Sequence, residues 1–174
     1  MPLTADDILR AFDALAEELS RQNEQAHIAI AGGAALVLLY NARESTKDVD
    51  AYIVSPTASI VRAAVAEVAT TLDLPTDWLN DAAKGYFVGV SLGAPLYESS
   101  SLAVRAVTTA QLLAMKLAAW RDAIDRADAE LLLASMEGSR GQIWDVVRRH
   151  VSPHDLQKAS YAFDDLWEAL HESQ

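Results

Sequence analysis

Asp48-Val49-Asp50 sets two carboxylates two residues apart at the end of a polar segment, 41–47. Side chains alternate along a strand, so a strand over 48–54 puts Asp48, Asp50 and Tyr52 on one face and Val49, Ala51 and Ile53 on the other. The apolar set suits a core, which leaves the aspartates together at an accessible strand start. Two neighbouring carboxylates repel unless a cation lies between them. Mg²⁺ is the fitting ion, with Mn²⁺ as its substitute, because it is hard, oxygen-seeking and usually held by a few carboxylates plus substrate phosphates. Upstream, Gly32-Gly33 ends a short apolar run, 27–31. Glycines at a strand-to-helix turn let backbone N–H groups approach a polyphosphate, and the next helix adds its positive dipole end. Each half has an ordinary explanation when taken alone: Gly-Gly is usually a tight turn, and Asp-x-Asp a solvated strand end or helix cap.

The elements that must position these residues follow from periodicity. Thr4 with Asp7 three residues on marks a helix start, and Ile8, Leu9, Phe12, Leu15, Ala16 and Leu19 carry the stripe to about Asn23. A strand over 27–31 and a helix over 34–40, apolar all round and therefore buried, precede the acid pair. The segment 57–72 is helical, and 75–81 reads as a turn plus one helical turn. Tyr86–Val90 and Leu102–Val107 are the best strands of a region broken by Gly93, Pro95 and Ser99-Ser100-Ser101. Thr108 or Thr109 caps a long helix running to about Met136; Gln142–Val151 and the segment from Ser152-Pro153 to about Glu172 complete an all-helical C-terminal third. The fold class is α/β or α+β, a small mixed sheet within a helical majority. The expected organisation is a core over 1–136 with a helical extension over 137–174.

Composition narrows the function. The 174 residues hold no cysteine, which excludes a disulfide framework, a thiolate zinc site and a cysteine nucleophile. The formal net charge of −11 opposes broad capture of nucleic acid and favours divalent cations or a basic protein partner. No apolar run is long enough for a membrane span, and acids stand where a signal peptide has bases, so a cytoplasmic protein with no membrane partner is expected. His27, His150, His154 and His171 are scattered, without zinc-ligand spacing. Arg148-Arg149-His150 reads as a complement to a helix C-terminus rather than a nucleic-acid patch. On the long helix, Leu113, Leu117, Ile124 and Leu131 form one apolar stripe. Lys116 lies at its edge among alanines, where its ammonium could reach a phosphate or snorkel to water. Arg121, Asp125 and Asp128 have the spacing of ordinary ion pairing along a helix.

Gly32-Gly33-Ala34-Ala35, Arg43, Thr46-Lys47-Asp48-Val49-Asp50, Trp78-Leu79-Asn80-Asp81 and the Leu112–Arg121 segment together resemble a bacterial family of uncharacterised nucleotidyltransferase-like proteins. That family is similar to the toxins of abortive-infection toxin–antitoxin systems. The resemblance covers roughly residues 27 to 134 and is most specific at Asp48-Val49-Asp50. It implies transfer of a nucleoside monophosphate from a nucleoside triphosphate, with Mg²⁺ or Mn²⁺, to an acceptor such as tRNA or protein, and a protein antitoxin as partner. Carried over residue by residue, Asp48 and Asp50 hold metal, Gly32, Gly33, Thr46 and Lys47 hold nucleotide, and Lys116 and Asp128 join the catalytic set. Two departures stand out. The superfamily commonly has Gly-Ser, and this chain has Gly33 and Ala34. Many members carry a third carboxylate on a later strand, yet Leu102–Val107 offers Arg105, with Glu98 the nearest acid. A two-acid site, or a nucleotide-binding protein without chemistry, are the two outcomes of that gap. Trp78 either packs in the core or stacks beside a base.

Overall fold

The computed structural model describes residues 1–172. Among the described residues seven α-helices and seven strands make an α+β fold. Two compact units are present, Met1–Lys84 with Leu92–Val107, and Gly85–Ser91 with Thr108–Gln174.

The first unit is built on a five-stranded mixed sheet in the order β5-β4-β2-β7-β6. At its centre β2 (Ala26–Ala31) runs antiparallel to β4 (Val49–Ser55) and parallel to β7 (Leu102–Val107). The short strand β5 (Leu79–Asn80) lies parallel to β4, and β6 (Leu92–Glu98) closes the other edge antiparallel to β7. Alternation sorts the faces as expected. Ile28, Ile30, Val49, Ala51, Val104 and Ala106 are buried on one of them. Helix α1 (Ala5–Arg21) covers that face; its Phe12 ring lies 5.8 Å from Tyr97, which is registered opposite Val104. Thr4 and Asp7 form the expected reciprocal cap of α1. Helix α3 (Ala58–Leu72) packs on α1 and buries Val61, Ala64, Val65 and Val68. Helix α2 (Gly32–Tyr40) follows β2 without a connecting loop, and it buries Ala34, Ala35, Leu36 and Val37. A second, two-stranded sheet pairs β1 (Leu3–Thr4) with β3 (Ser45–Thr46).

Two expectations about this region are corrected. Residues 86–90 form no strand, and β6 starts at Leu92 and runs through Pro95 instead. The backbone of the 85–91 segment is used otherwise. Gln111, fully buried, donates to the Gly89 carbonyl at 2.9 Å and accepts from the Ser91 N–H at 2.8 Å, while His150 Nδ1 lies 3.0 Å from the Val88 carbonyl. Proline is tolerated in β6 because that strand is at a sheet edge. The 75–81 segment holds the strand β5 rather than a helical turn.

The second unit is helical. The single long helix read from the sequence is two, α4 (Thr109–Ala119) and α5 (Ala123–Ala134). Trp120 takes a left-handed conformation at φ 39°, and Asp122 caps α5 by accepting from the Ile124 and Asp125 N–H groups. The break shifts the phase of the apolar stripe, so Ile124 is exposed and Ala129, Leu132 and Leu133 are buried. Lys158 donates to the Ala118 and Ala119 carbonyls at 2.8 and 2.7 Å, satisfying the end of α4. Helices α6 (Arg140–Val147) and α7 (Leu156–Glu172) follow, with Trp144, Phe163 and Trp167 in ring contact.

Candidate functional site

The first unit brings six of the predicted residues to one end of its sheet. Ala31, the last residue of β2, is registered opposite Asp50, so the glycine pair and the acid pair meet at that end. Asp50 is in turn registered opposite Asn80 on β5, and registered residues project to the same face. The Asn80 amide reaches the Asp48 carboxylate at 3.3 Å, which puts Asp48, Asp50 and Asn80 on one face, opposite the core face that carries Val49 and Ala51. Both aspartates are half-buried and Lys47 is exposed between Thr46 and Asp48.

Side chains from two directions crowd the glycines. Gly32 has φ 63°, and a Cβ added to it would come inside 3.0 Å of Asp50 Oδ2. An L-residue pays for that backbone angle as well as for the overlap. A Cβ at Gly33 would come inside 3.0 Å of Thr46 Oγ1, with an Arg43 guanidinium nitrogen 3.6 Å away. The serine missing at this turn therefore has its room taken by the hydroxyl of Thr46. That hydroxyl also donates to the Asp48 carbonyl at 3.3 Å, tying β3 to the acid pair. Pairing of Thr4 with Ser45 and Leu3 with Thr46 fixes β3, with Leu3 fully buried. The Asp50 carboxylate, placed at the N-terminal end of α2, lies in that helix's positive field.

Oxygen donors converging beside a glycine turn suit a hard divalent cation whose coordination is completed by phosphate oxygens and water. A metal cage made by protein alone is a different matter: among the described residues no group of three acids or histidines could hold an ion. Glu98 is no third acid here. It is registered opposite Ala103, which in turn faces His27, at the other end of the sheet from Ala31 and Asp50. On β7 the strand neighbour of Ala29 is Arg105, whose guanidinium binds the Gly93 carbonyl at 2.6 and 3.0 Å.

Trp78 is fully buried, donates from Nε1 to the Val65 carbonyl at 3.2 Å, and sits 6.4 Å from the Phe12 ring, so it packs rather than stacking on a base. Its own carbonyl accepts from the Val49 N–H at 2.7 Å. Asp81 takes the Arg62 guanidinium at 3.0 and 2.5 Å, and these hydrogen bonds hold its carboxyl below the ordinary range. Asn80 is the residue of this site that sequence reasoning passed over. Its sequence signals are its place in the Trp78-Leu79-Asn80-Asp81 segment and its position next to Leu79, whose side chain a strand sends to the other face.

In the second unit Lys116 and Asp128 do meet. The Lys116 ammonium lies 2.8 Å from Asp128 and 2.9 Å from Asp125, and neither carboxylate is more than 7% exposed. The Lys116 ammonium thus binds two buried carboxylates instead of snorkelling to water. Arg121, in the break between α4 and α5, adds a 3.1 Å bond to Asp125 from Nε and another from its backbone N–H. Burial alone would push the Asp125 carboxyl up; the hydrogen bonds from Lys116 and Arg121 outweigh it and bring the value down to about 2.

No helix among the described residues is long and apolar enough to cross a membrane. Neither the curated proteins nor the solved structures hold a match to this sequence. The family comparison does give one: residues 7–130 match the model of a family described as nucleotidyltransferase of unknown function (DUF6036), and since that is well over half of the chain, the protein belongs to that family.

Proposed function

We propose that the protein transfers a nucleoside monophosphate from a nucleoside triphosphate to an acceptor, with release of pyrophosphate and with Mg²⁺ or Mn²⁺ at Asp48 and Asp50. The observation that carries this is the meeting of the acid pair with the glycine turn, where Asp50 lies against Gly32 and Thr46 against Gly33. Nucleotidyl transfer depends chiefly on positioning and on neutralising charge. In this reading the Gly32 and Gly33 backbone and the Thr46 hydroxyl receive phosphate oxygens, with Lys47 as an exposed cation beside them. When bound, the divalent ion neutralises the triphosphate and activates the phosphorus for attack. Lys116 and Asp128 are assigned by resemblance to the same reaction. Incubation of the protein with each labelled nucleoside triphosphate, Mg²⁺ or Mn²⁺, and tRNA or protein acceptors tests the proposal. Labelled acceptor plus pyrophosphate, lost in Asp50→Asn, supports it; nucleotide and metal binding without pyrophosphate from any acceptor in a cell extract refutes it.

A second reading is favoured by Arg105 on β7, where a third acid is usual, and by the absence of a three-ligand cluster among the described residues. In it the fold binds nucleotide or a partner without chemistry. The biological role proposed with the enzyme reading is that of the toxin in a toxin–antitoxin pair, with a basic antitoxin suited to the net charge of −11. Growth arrest on expression, relieved by the product of a neighbouring gene, tests that role.

A further inference from the structure

Asn80 comes to the acid pair already immobilised. Its Oδ1 accepts from the Ala82 N–H at 3.1 Å, and its Nδ2 lies 3.2 Å from the Asp77 carbonyl and 3.3 Å from Asp48 Oδ2. The chemistry fixes the orientation of the amide: an N–H on one side requires the oxygen there, and a carbonyl and a carboxylate on the other require the nitrogen. The strand beneath it is anchored by Trp78, which is buried and bonded to both Val65 and Val49.

We propose that Asn80 is a positioning residue for Asp48: it engages Oδ2 and leaves Oδ1 for the divalent cation. The proposal rests on the reading of Asp48 as a metal ligand. A hydrogen-bond donor on one carboxylate oxygen stops the group from rotating and stabilises its charge beside Asp50. A lysine or arginine would do the same but would compete with the cation. A carboxylate at 80 would supply a third ligand and capture metal before nucleotide arrives. The neutral amide does neither, so the protein alone holds the ion weakly through its carboxylates and the phosphate oxygens of the substrate strengthen the hold.

The test is Mn²⁺ binding by the purified protein, read from the free-ion electron paramagnetic resonance signal, in wild type, Asp48→Asn, Asn80→Ser and the double variant. Serine keeps an acceptor for the Ala82 N–H and falls short of Asp48. Asn80→Ser is expected to weaken Mn²⁺ binding about tenfold, the lower end for an outer-shell partner, with little change in the metal-free melting temperature. It should add nothing once Asp48 is asparagine. Unchanged Mn²⁺ affinity in Asn80→Ser, with affinity lost in Asp48→Asn, overturns the role of Asn80 alone. Unchanged affinity in Asp48→Asn overturns the metal reading and this proposal with it. Should the serine variant not fold, Asn80→Asp keeps the shape and the Ala82 acceptor. It is expected to raise nucleotide-free Mn²⁺ affinity about tenfold in a manner that needs Asp48, and no rise overturns the proposal.

Discussion

Gly32→Ala puts a methyl group where the Asp50 carboxylate now sits. The backbone at Gly32, φ 63°, costs an L-residue about 1–2 kcal/mol. The new Cβ also falls inside 3.0 Å of Asp50 Oδ2, so the carboxylate must swing off the α2 N-terminus or the strands must part, at about 1–3 kcal/mol. Together these are ~2–5 kcal/mol, which for a chain of this size lowers the melting temperature by roughly 5–15 °C. Asp50→Ala separates the two costs. It removes Oδ2 and Cγ and leaves only the Asp50 Cβ, which is 3.6 Å from the added methyl and in ordinary contact. In that background Gly32→Ala should cost the backbone part alone. The four proteins of the cycle, compared by circular dichroism in urea, should therefore show a coupling of about 1–3 kcal/mol. Additivity within about 0.5 kcal/mol would mean that the Asp50 carboxylate does not lie over Gly32, and the convergence of glycine turn and acid pair would go with it.

Asp48→Asn with Asp50→Asn should abolish the melting shift given by Mg²⁺ plus nucleoside triphosphate, while the metal-free protein stays as stable or gains slightly from lost repulsion; differential scanning fluorimetry reads both. Asp125 supplies a pH test. A carboxyl lowered to about 2 contributes stability that is present above its ordinary value near 3.8 and lost as pH falls toward 2. Between pH 4 and 2 the wild type should lose about 2 kcal/mol more than Asp125→Asn, measured by urea melts at each pH. Lys116→Ala should cost about 3–5 kcal/mol in urea melts at pH 7, because it leaves Asp125 and Asp128 buried without their shared cation. A rate measured on that variant is to be compared with Lys116→Arg, which keeps the charge.

The central strands were legible because short apolar runs ending in Gly-Gly or Ser-Pro have few other uses, and β2, β4 and β7 lie within a residue of their expected bounds. The shared face of Asp48 and Asp50 followed from alternation alone. What escaped was set by partners distant in sequence. Tyr86–Val90 has strand composition, but Gln111 and His150 take its carbonyls. Pro95 and Gly93 hid a strand that an edge position permits. Arg121, Asp125 and Asp128 have helical spacing and Arg121 does pair with Asp125, yet Arg121 lies in the break before α5 and the two buried aspartates also share Lys116, which spacing along one helix does not reveal. Asn80 could not be linked to Asp48 without the register of β5 on β4. No periodicity carries that information.

Thr4 serves three structures at once. Its hydroxyl caps α1, its backbone pairs with Ser45, and its neighbour Leu3 plugs the core opposite Thr46. Fraying of the first turn of α1 therefore releases β3 in the same event, and the Thr46 hydroxyl leaves Gly33 with it. Amide protons around 45–46 should then exchange with solvent at the opening rate of the α1 start rather than at that of the sheet. Thr4→Ala, about 1 kcal/mol in cap stability, would speed that exchange some fivefold while leaving the β2 amides unchanged.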